Sequence, residues 1–221
     1  MLNKPDEYFD YLDRIGMSAV KTPDEKELMI FNAAEQKFLA GDYAAAESSL
    51  RNFVSQYPDG QKTPLAWFYI GESLNELGRK EEAASAYLEV MDKGEGSFVE
   101  ISTLQYARIC YGMERYAKAA SAYESLYRIA RLDNNRMEAL RGVMSSCFMD
   151  GKYNAAIDAA SKVLEVQGQD GGDSAEAQYI MAKSYLILGR RQEALPLLKA
   201  LSDNVFTAYG AEAAYLLIQD T

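Results

Sequence analysis

The sequence predicts an all-α chain built as a superhelical solenoid of antiparallel helix pairs. Three observations carry that prediction. An alanine landmark falls at residues 46, 83, 119, 156 and 194, at spacings of 37, 36, 37 and 38. A period this constant over five units marks stacked repeats, because an ordinary globular domain has no reason to reuse one length. Only 5 prolines occur in 221 alanine-rich residues, which favours helix throughout. Glycine also stands at four of the five expected inter-helix turns, as Gly41, Gly78, Gly151 and Gly189, where a left-handed residue stops a helix.

Taken in order, Tyr8, Tyr11, Leu12 and Ile15 recur at three- and four-residue spacing. They predict a short amphipathic helix from Pro5 to Ile15, stopped by Gly16 and followed by a connector, Met17 to Lys21. Residues 1–21 thus precede the repeats. Thr22-Pro23-Asp24-Glu25 supplies an N-cap, a proline at the first helical position, early acidic residues and a capping-box glutamate. The array occupies residues 22–221, with units near 25–60, 61–96, 97–132, 133–172 and 173–205 and the first helix of a sixth at 206–221.

Within the units, Tyr43, Ala46, Leu50, Phe53 and Pro58 mark the first second-helix and its exit. Ala83, Tyr87 and Val90 take the matching places next, then Tyr116, Ala119, Tyr123 and Leu126, then Tyr153, Ala156, Ala160 and Val163, then Ala194, Leu198 and Leu201. Small residues (Gly71, Ala107, Ala182 and the alanine landmarks) are expected where paired helices cross. Trp67, Tyr87, Tyr123 and Phe53 are expected to fill the gaps between pairs. The third turn has Gly112 two residues early and is predicted to be looser. Further caps are expected at Thr63-Pro64, at Ser97 with Glu100, and at Asp173 with Glu176. Gln167 to Gly172 reads as a flexible loop, and Pro196 as the site of a slight kink. AEAAYLLIQD from Ala211 copies AEAQYIMAKS from Ala175 at a spacing of 36. It is either a cap or the start of a repeat cut short, and the apolar Ala213, Leu216 and Leu217 favour the second.

The stretch Pro64 to Met91, PLAWFYIGESLNELGRKEEAASAYLEVM, carries a resemblance. Trp67, Ile70, Gly71 and Leu74 fall at the spacing W-x2-L-G-x2-Y, and Ala83 and Tyr87 supply A-x3-F. The stretch resembles a tetratricopeptide (TPR) unit, and the resemblance extends over about residues 25–221. The segment GDYAAAESSLRNFVSQYPDGQKTPLAWFYIGE is also similar to the TPR region of bacterial envelope proteins, among them the coordinator linked to the Tol–Pal system and outer-membrane assembly lipoproteins. This likeness implies a non-catalytic protein-binding scaffold in the periplasm or cell envelope, with the cytoplasm as the alternative.

The resemblance further implies that the first helix of each pair lines a concave face. Aligned units put Phe31, Phe68, Leu104, Arg141 and Tyr179 in one row, and Glu35, Glu72, Arg108, Ser145 and Lys183 in a second. Phe38, Asn75, Tyr111, Phe148 and Leu186 form a third. The candidate partner-binding residues are Phe68, Glu72, Asn75, Leu104, Arg108, Tyr111, Arg141, Ser145, Phe148, Tyr179 and Lys183. Arg108, Arg141 and Lys183 gather in the later half and predict a partner segment with acidic and apolar side chains. On the alternative, the aromatics pack between neighbouring helices and the cations pair with nearby glutamates. The paired Lys-x3-Asn and Lys-x3-Arg of chaperone-binding TPRs is not present.

Composition excludes other classes. A net charge of −10 and a pI near 4.7 disfavour nucleic acid and anionic lipid as partners. No apolar run reaches the roughly 18–20 residues of a membrane helix, so no direct membrane insertion is expected. The absence of histidine removes the commonest general base and metal ligand. Cys110 and Cys147 occupy one first-helix landmark in successive units, which fits buried packing rather than redox or metal chemistry. Asp170-Gly171-Gly172-Asp173 lacks the alternating ligands of a calcium loop. No enzyme, cofactor or metal is expected, and the chain is expected to be a monomer. Self-assembly, or docking within a larger enzyme-containing protein, are the competing functions.

Overall fold

The computed structural model describes residues 5–14, 22–93, 97–167 and 173–219, and among them every regular element is helical, with no strand. The helices are α1 (Pro5–Arg14), α2 (Pro23–Leu39), α3 (Tyr43–Gln56), α4 (Thr63–Glu76), α5 (Lys80–Lys93) and α6 (Ser97–Gly112). They continue as α7 (Tyr116–Ile129), α8 (Asp133–Met149), α9 (Tyr153–Gln167), α10 (Ser174–Ile187), α11 (Arg191–Ser202) and α12 (Ala208–Gln219). Two compact units divide the chain, Met1–Tyr106 and Ala107–Thr221. The predicted stop at Gly16, the connector 17–21, the loop residues 168–172 and the Ser97 side chain lie outside the described residues.

Five inter-helix turns share one hydrogen-bond pattern. At Gly78 the amide donates to the Asn75 carbonyl (3.1 Å) and the Arg79 amide reaches back to Leu74 (2.8 Å), so the last helical carbonyls are satisfied in a Schellman stop. The same pair of bonds closes the turns at Gly41, Gly151 and Gly189, each glycine at a φ between 72° and 78°. The expected looseness of the third turn is not found. Gly112 stays inside α6, and Glu114 itself takes the left-handed position at φ 58°, with Glu114 and Arg115 amides bonded to Tyr111 and Cys110. A side chain there meets Cβ crowding that glycine avoids. Replacing Glu114 with glycine is therefore expected to stabilise the protein by about 1 kcal/mol, after the extra unfolded-state freedom of glycine is subtracted. A urea midpoint that falls for this variant would contradict that expectation.

Helix starts divide into confirmed and corrected caps. The Thr22 amide donates to Glu25 Oε2 (2.8 Å) and Thr22 Oγ1 accepts from the Glu25 amide (3.2 Å), completing the predicted capping box. Thr63 is not a cap. Lys62 holds that position without a side-chain bond, while the Thr63 hydroxyl, 1% exposed, donates to the Tyr57 carbonyl. Asp173 does precede α10 but makes no capping bond. Its carboxylate pairs with Arg141 at 3.0 Å instead, because a guanidinium offers a charge-assisted bond that a backbone amide does not.

Packing follows the repeat logic. In the first unit α2 packs on α3, α3 on α4 and α4 on α5; in the second unit α7 to α12 pack successively in the same way. The alanine landmarks 46, 83, 119, 156 and 194 are fully buried. Phe53 and Tyr87 are also fully buried, whereas Trp67 is only half-buried. Cys110 and Cys147 are both buried, as expected. Gly71 and Gly142 lie flat against tyrosine rings: a Cβ on Gly71 would sit 2.7 Å from the Tyr87 ring, and one on Gly142 2.5 Å from that of Tyr123.

First helices also touch the next first helix: α2 meets α4, α8 meets α10, and α10 meets α12. Among the described residues no such contact joins α3 to α5 or α9 to α11. Side-chain bridges reinforce this. Tyr69 of α4 donates to Glu35 of α2 at 3.0 Å, Arg108 of α6 grips Glu138 of α8 at 2.6 and 2.7 Å, Arg141 of α8 grips Glu176 of α10, and Tyr179 of α10 donates to Glu212 of α12.

Candidate functional site

In the first unit the predicted contact residues are largely committed to packing. Phe68 is half-buried against the rings of Tyr69, Tyr87 and Phe98, with centroids 5.8, 6.5 and 5.4 Å away. Glu72 accepts the Tyr87 hydroxyl at 2.5 Å, and the Asn75 side-chain oxygen accepts Lys80 at 2.6 Å. Leu104 is 7% exposed and cannot touch a partner: its row faces the core at this position. Phe31 of the same row is likewise interior, edge-on to Phe53 at 5.4 Å.

The second unit is more open. A cleft of about 560 Å³ lies along the first helices α6, α8 and α10, lined by the predicted Tyr111, Arg141 and Ser145. Glu138, Asp173, Glu176 and Asn134 complete its polar wall, and Tyr123 and Gly142 its floor. Arg141 bonds Asp173 through one terminal nitrogen (3.0 Å) and Glu176 Oε2 through the other (2.9 Å). The Glu138 carboxylate holds the Arg108 guanidinium above its ordinary range. Outside the cleft lining, Phe148 meets the Tyr153 ring edge-on at 5.7 Å. Lys183 lies over Phe148 and Tyr179, 5.8 and 5.3 Å from their centroids.

Aligning the units selects the donors Arg108, Arg141 and Tyr179 but not their acceptors. Glu138, Glu176 and Glu212 recur at spacings of 38 and 36, one helical turn before the row that was chosen. That periodicity was the available signal.

Burial pushes the Tyr123 phenol up to about 12 from 10. Burial and the bond to Glu35 do the same to Tyr69, and Tyr87 and Tyr179 are raised for like reasons. The fold thus favours the protonated phenols, and the unfolded chain loses these protons first as pH rises. Thermal stability is expected to hold up to about pH 10 and to fall between about pH 10 and 12, in step with near-ultraviolet phenolate absorbance. Unfolding that precedes phenolate formation would contradict this origin.

Among the described residues no group of three histidine, cysteine, aspartate or glutamate side chains is placed to hold a metal ion, and no described helix is long and apolar enough to cross a membrane. Successive helical hairpins closed by left-handed stops, with first helices in mutual contact, define a repeat protein of tetratricopeptide-like fold, a class that serves as protein-interaction scaffold.

Residues 33–97 match the family described as Tetratricopeptide repeat. Among solved structures, a crystal structure of MamA protein is 14% identical at a TM-score of 0.59, covering 80% of this chain and 91% of that one. MamA 41-end from Desulfovibrio magneticus RS-1 is 13% identical at 0.55, covering 79% and 92%. The TPR-like repeats of a Podosopora anserina putative kinesin light chain are 16% identical at 0.53, covering 81% and 94%. These likenesses are likenesses of fold. No curated protein sequence matches the chain.

Proposed function

We propose that the chain is a non-catalytic adaptor that binds an extended segment of another protein along the first helices, above all at the α6–α8–α10 cleft. The observation that supports this most is the cleft itself, which exposes polar side chains on a face where first helices adjoin. Repeats near residues 25–60, 61–96, 97–132, 133–172 and 173–205 each contribute one such helix to the reading, and the adaptor acts as a monomer with a concave binding face. An acidic partner has lost its support: Arg108 and Arg141 already bond carboxylates, and Lys183 rests on two rings. The envelope setting rests on the likeness of residues 41–72 alone, and fractionation of the native cells checks it.

The test is site-directed photocrosslinking in the native source. A benzophenone amino acid at Ser145, in the cleft, is expected to capture a defined partner, while the same probe at the exposed Ser121 of α7 captures none. Equal capture from both positions, or none from Ser145, overturns the reading.

A further inference from the structure

The landmark tyrosine of the second unit differs from its counterpart in the first in one respect. In the first unit the buried Tyr87 hydroxyl has an acceptor, Glu72, at 2.5 Å. The equivalent position one repeat later is Arg108, which can only donate and is itself tied to Glu138. Tyr123 is 6% exposed, and among the described residues no side chain hydrogen-bonds its hydroxyl. Its oxygen is not sealed inside the core, so the hydroxyl is open to a ligand. Its ring lies flat under Gly142, and the charges its oxygen feels are those of Glu138 and Arg108. The hydroxyl therefore points along the floor of the cleft.

Charge on the walls is unbalanced as well. Glu138, Asp173 and Glu176 face Arg108 and Arg141, three carboxylates against two guanidiniums. Both hydrogen bonds from Arg141 to Glu176 go to Oε2, which leaves Oε1 as an acceptor. Lys183 and Glu212 are engaged elsewhere and stand outside the lining. We infer that this cleft receives a basic side chain, an arginine or lysine of the partner segment, held by Glu176 Oε1 and the Tyr123 hydroxyl. The side chain's N–H groups donate to both oxygens and restore charge balance. The Tyr123 proton is then free to bond a carbonyl of the incoming peptide. Half-buried Tyr111 supplies a ring wall against which a cation is favoured.

The inference deepens the adaptor reading and rests on it for the identity of the ligand as a protein segment. Its test uses the full chain, isotope-labelled, titrated with the capped tripeptides Ac-Ala-Arg-Ala-NH2 and Ac-Ala-Glu-Ala-NH2. The arginine peptide is expected to shift amides around residues 138–145 and 173–176 in a saturable manner, and the glutamate peptide to bind at least tenfold more weakly. Tyr123→Phe keeps the ring packed on Gly142 and is expected to weaken arginine binding about fivefold. Glu176→Gln is expected to remove the preference for arginine over glutamate. The inference is overturned if the glutamate peptide binds as well, if neither variant changes the affinity, or if no cleft amide responds to the arginine peptide. Crosslinking from Ser145 that persists in that case removes only the charge class of the ligand. Arginine binding without crosslinking removes the protein partner and keeps the subsite.

Discussion

Phe53→Ala is expected to lower stability by about 3–5 kcal/mol, the range for emptying a buried aromatic site. Phe53 is fully buried, edge-on to Phe31 at 5.4 Å and stacked on Tyr57 at 5.3 Å. The alanine leaves a void between α2 and α3 that two rings on rigid helices cannot close. Because repeat arrays lose stability through neighbouring interfaces, the damage is expected to concentrate in α2 to α4. Amide hydrogen exchange reads this directly: uniform loss of protection over α7 to α12 would show that the void is not a local defect.

Gly142→Ala is expected to destabilise by about 2 kcal/mol, although alanine is the better helix former by about 1 kcal/mol. The added methyl would lie 2.5 Å from three ring carbons of Tyr123, including Cγ. Those atoms are the base of the ring rather than its mobile end, so α8 or α7 must shift. The variant is also expected to disturb the cleft whose floor this contact forms. Gly112→Ala is the matched control. Nothing lies within 4 Å of the added methyl, and the change is expected to be neutral or to raise the denaturant midpoint slightly. Two glycines on successive first helices thus give opposite signs, and equal effects would refute the steric account.

How far the chain could be read in advance depended on the range of the interaction involved. The Thr22–Glu25 box and the glycine stops at 41, 78, 151 and 189 are governed by residues within five positions, and they formed where expected. Glu114 departs because the hydrogen bonds of the stop, shared with the other turns, outweigh one residue's dislike of positive φ. Asp173 departs because Arg141, 32 positions away in the chain, competes for its carboxylate.

The partner face shows the same division. Periodicity placed Arg108, Tyr111, Arg141 and Ser145 on first helices, and the structure brings Tyr111, Arg141 and Ser145 to one cleft. It could not show that Leu104 turns inward, or that Glu138 and Glu176 take up the two arginines. By itself the sequence determined helices, their stops, the small-residue crossings and the repeat, since each follows from local torsions and from a pattern that recurs about every 37 residues. The tertiary structure alone decided which polar groups are spent on one another and which remain. Those outcomes depend on distances between helices thirty or more residues apart, where a shift of one turn exchanges a bonded carboxylate for an open one.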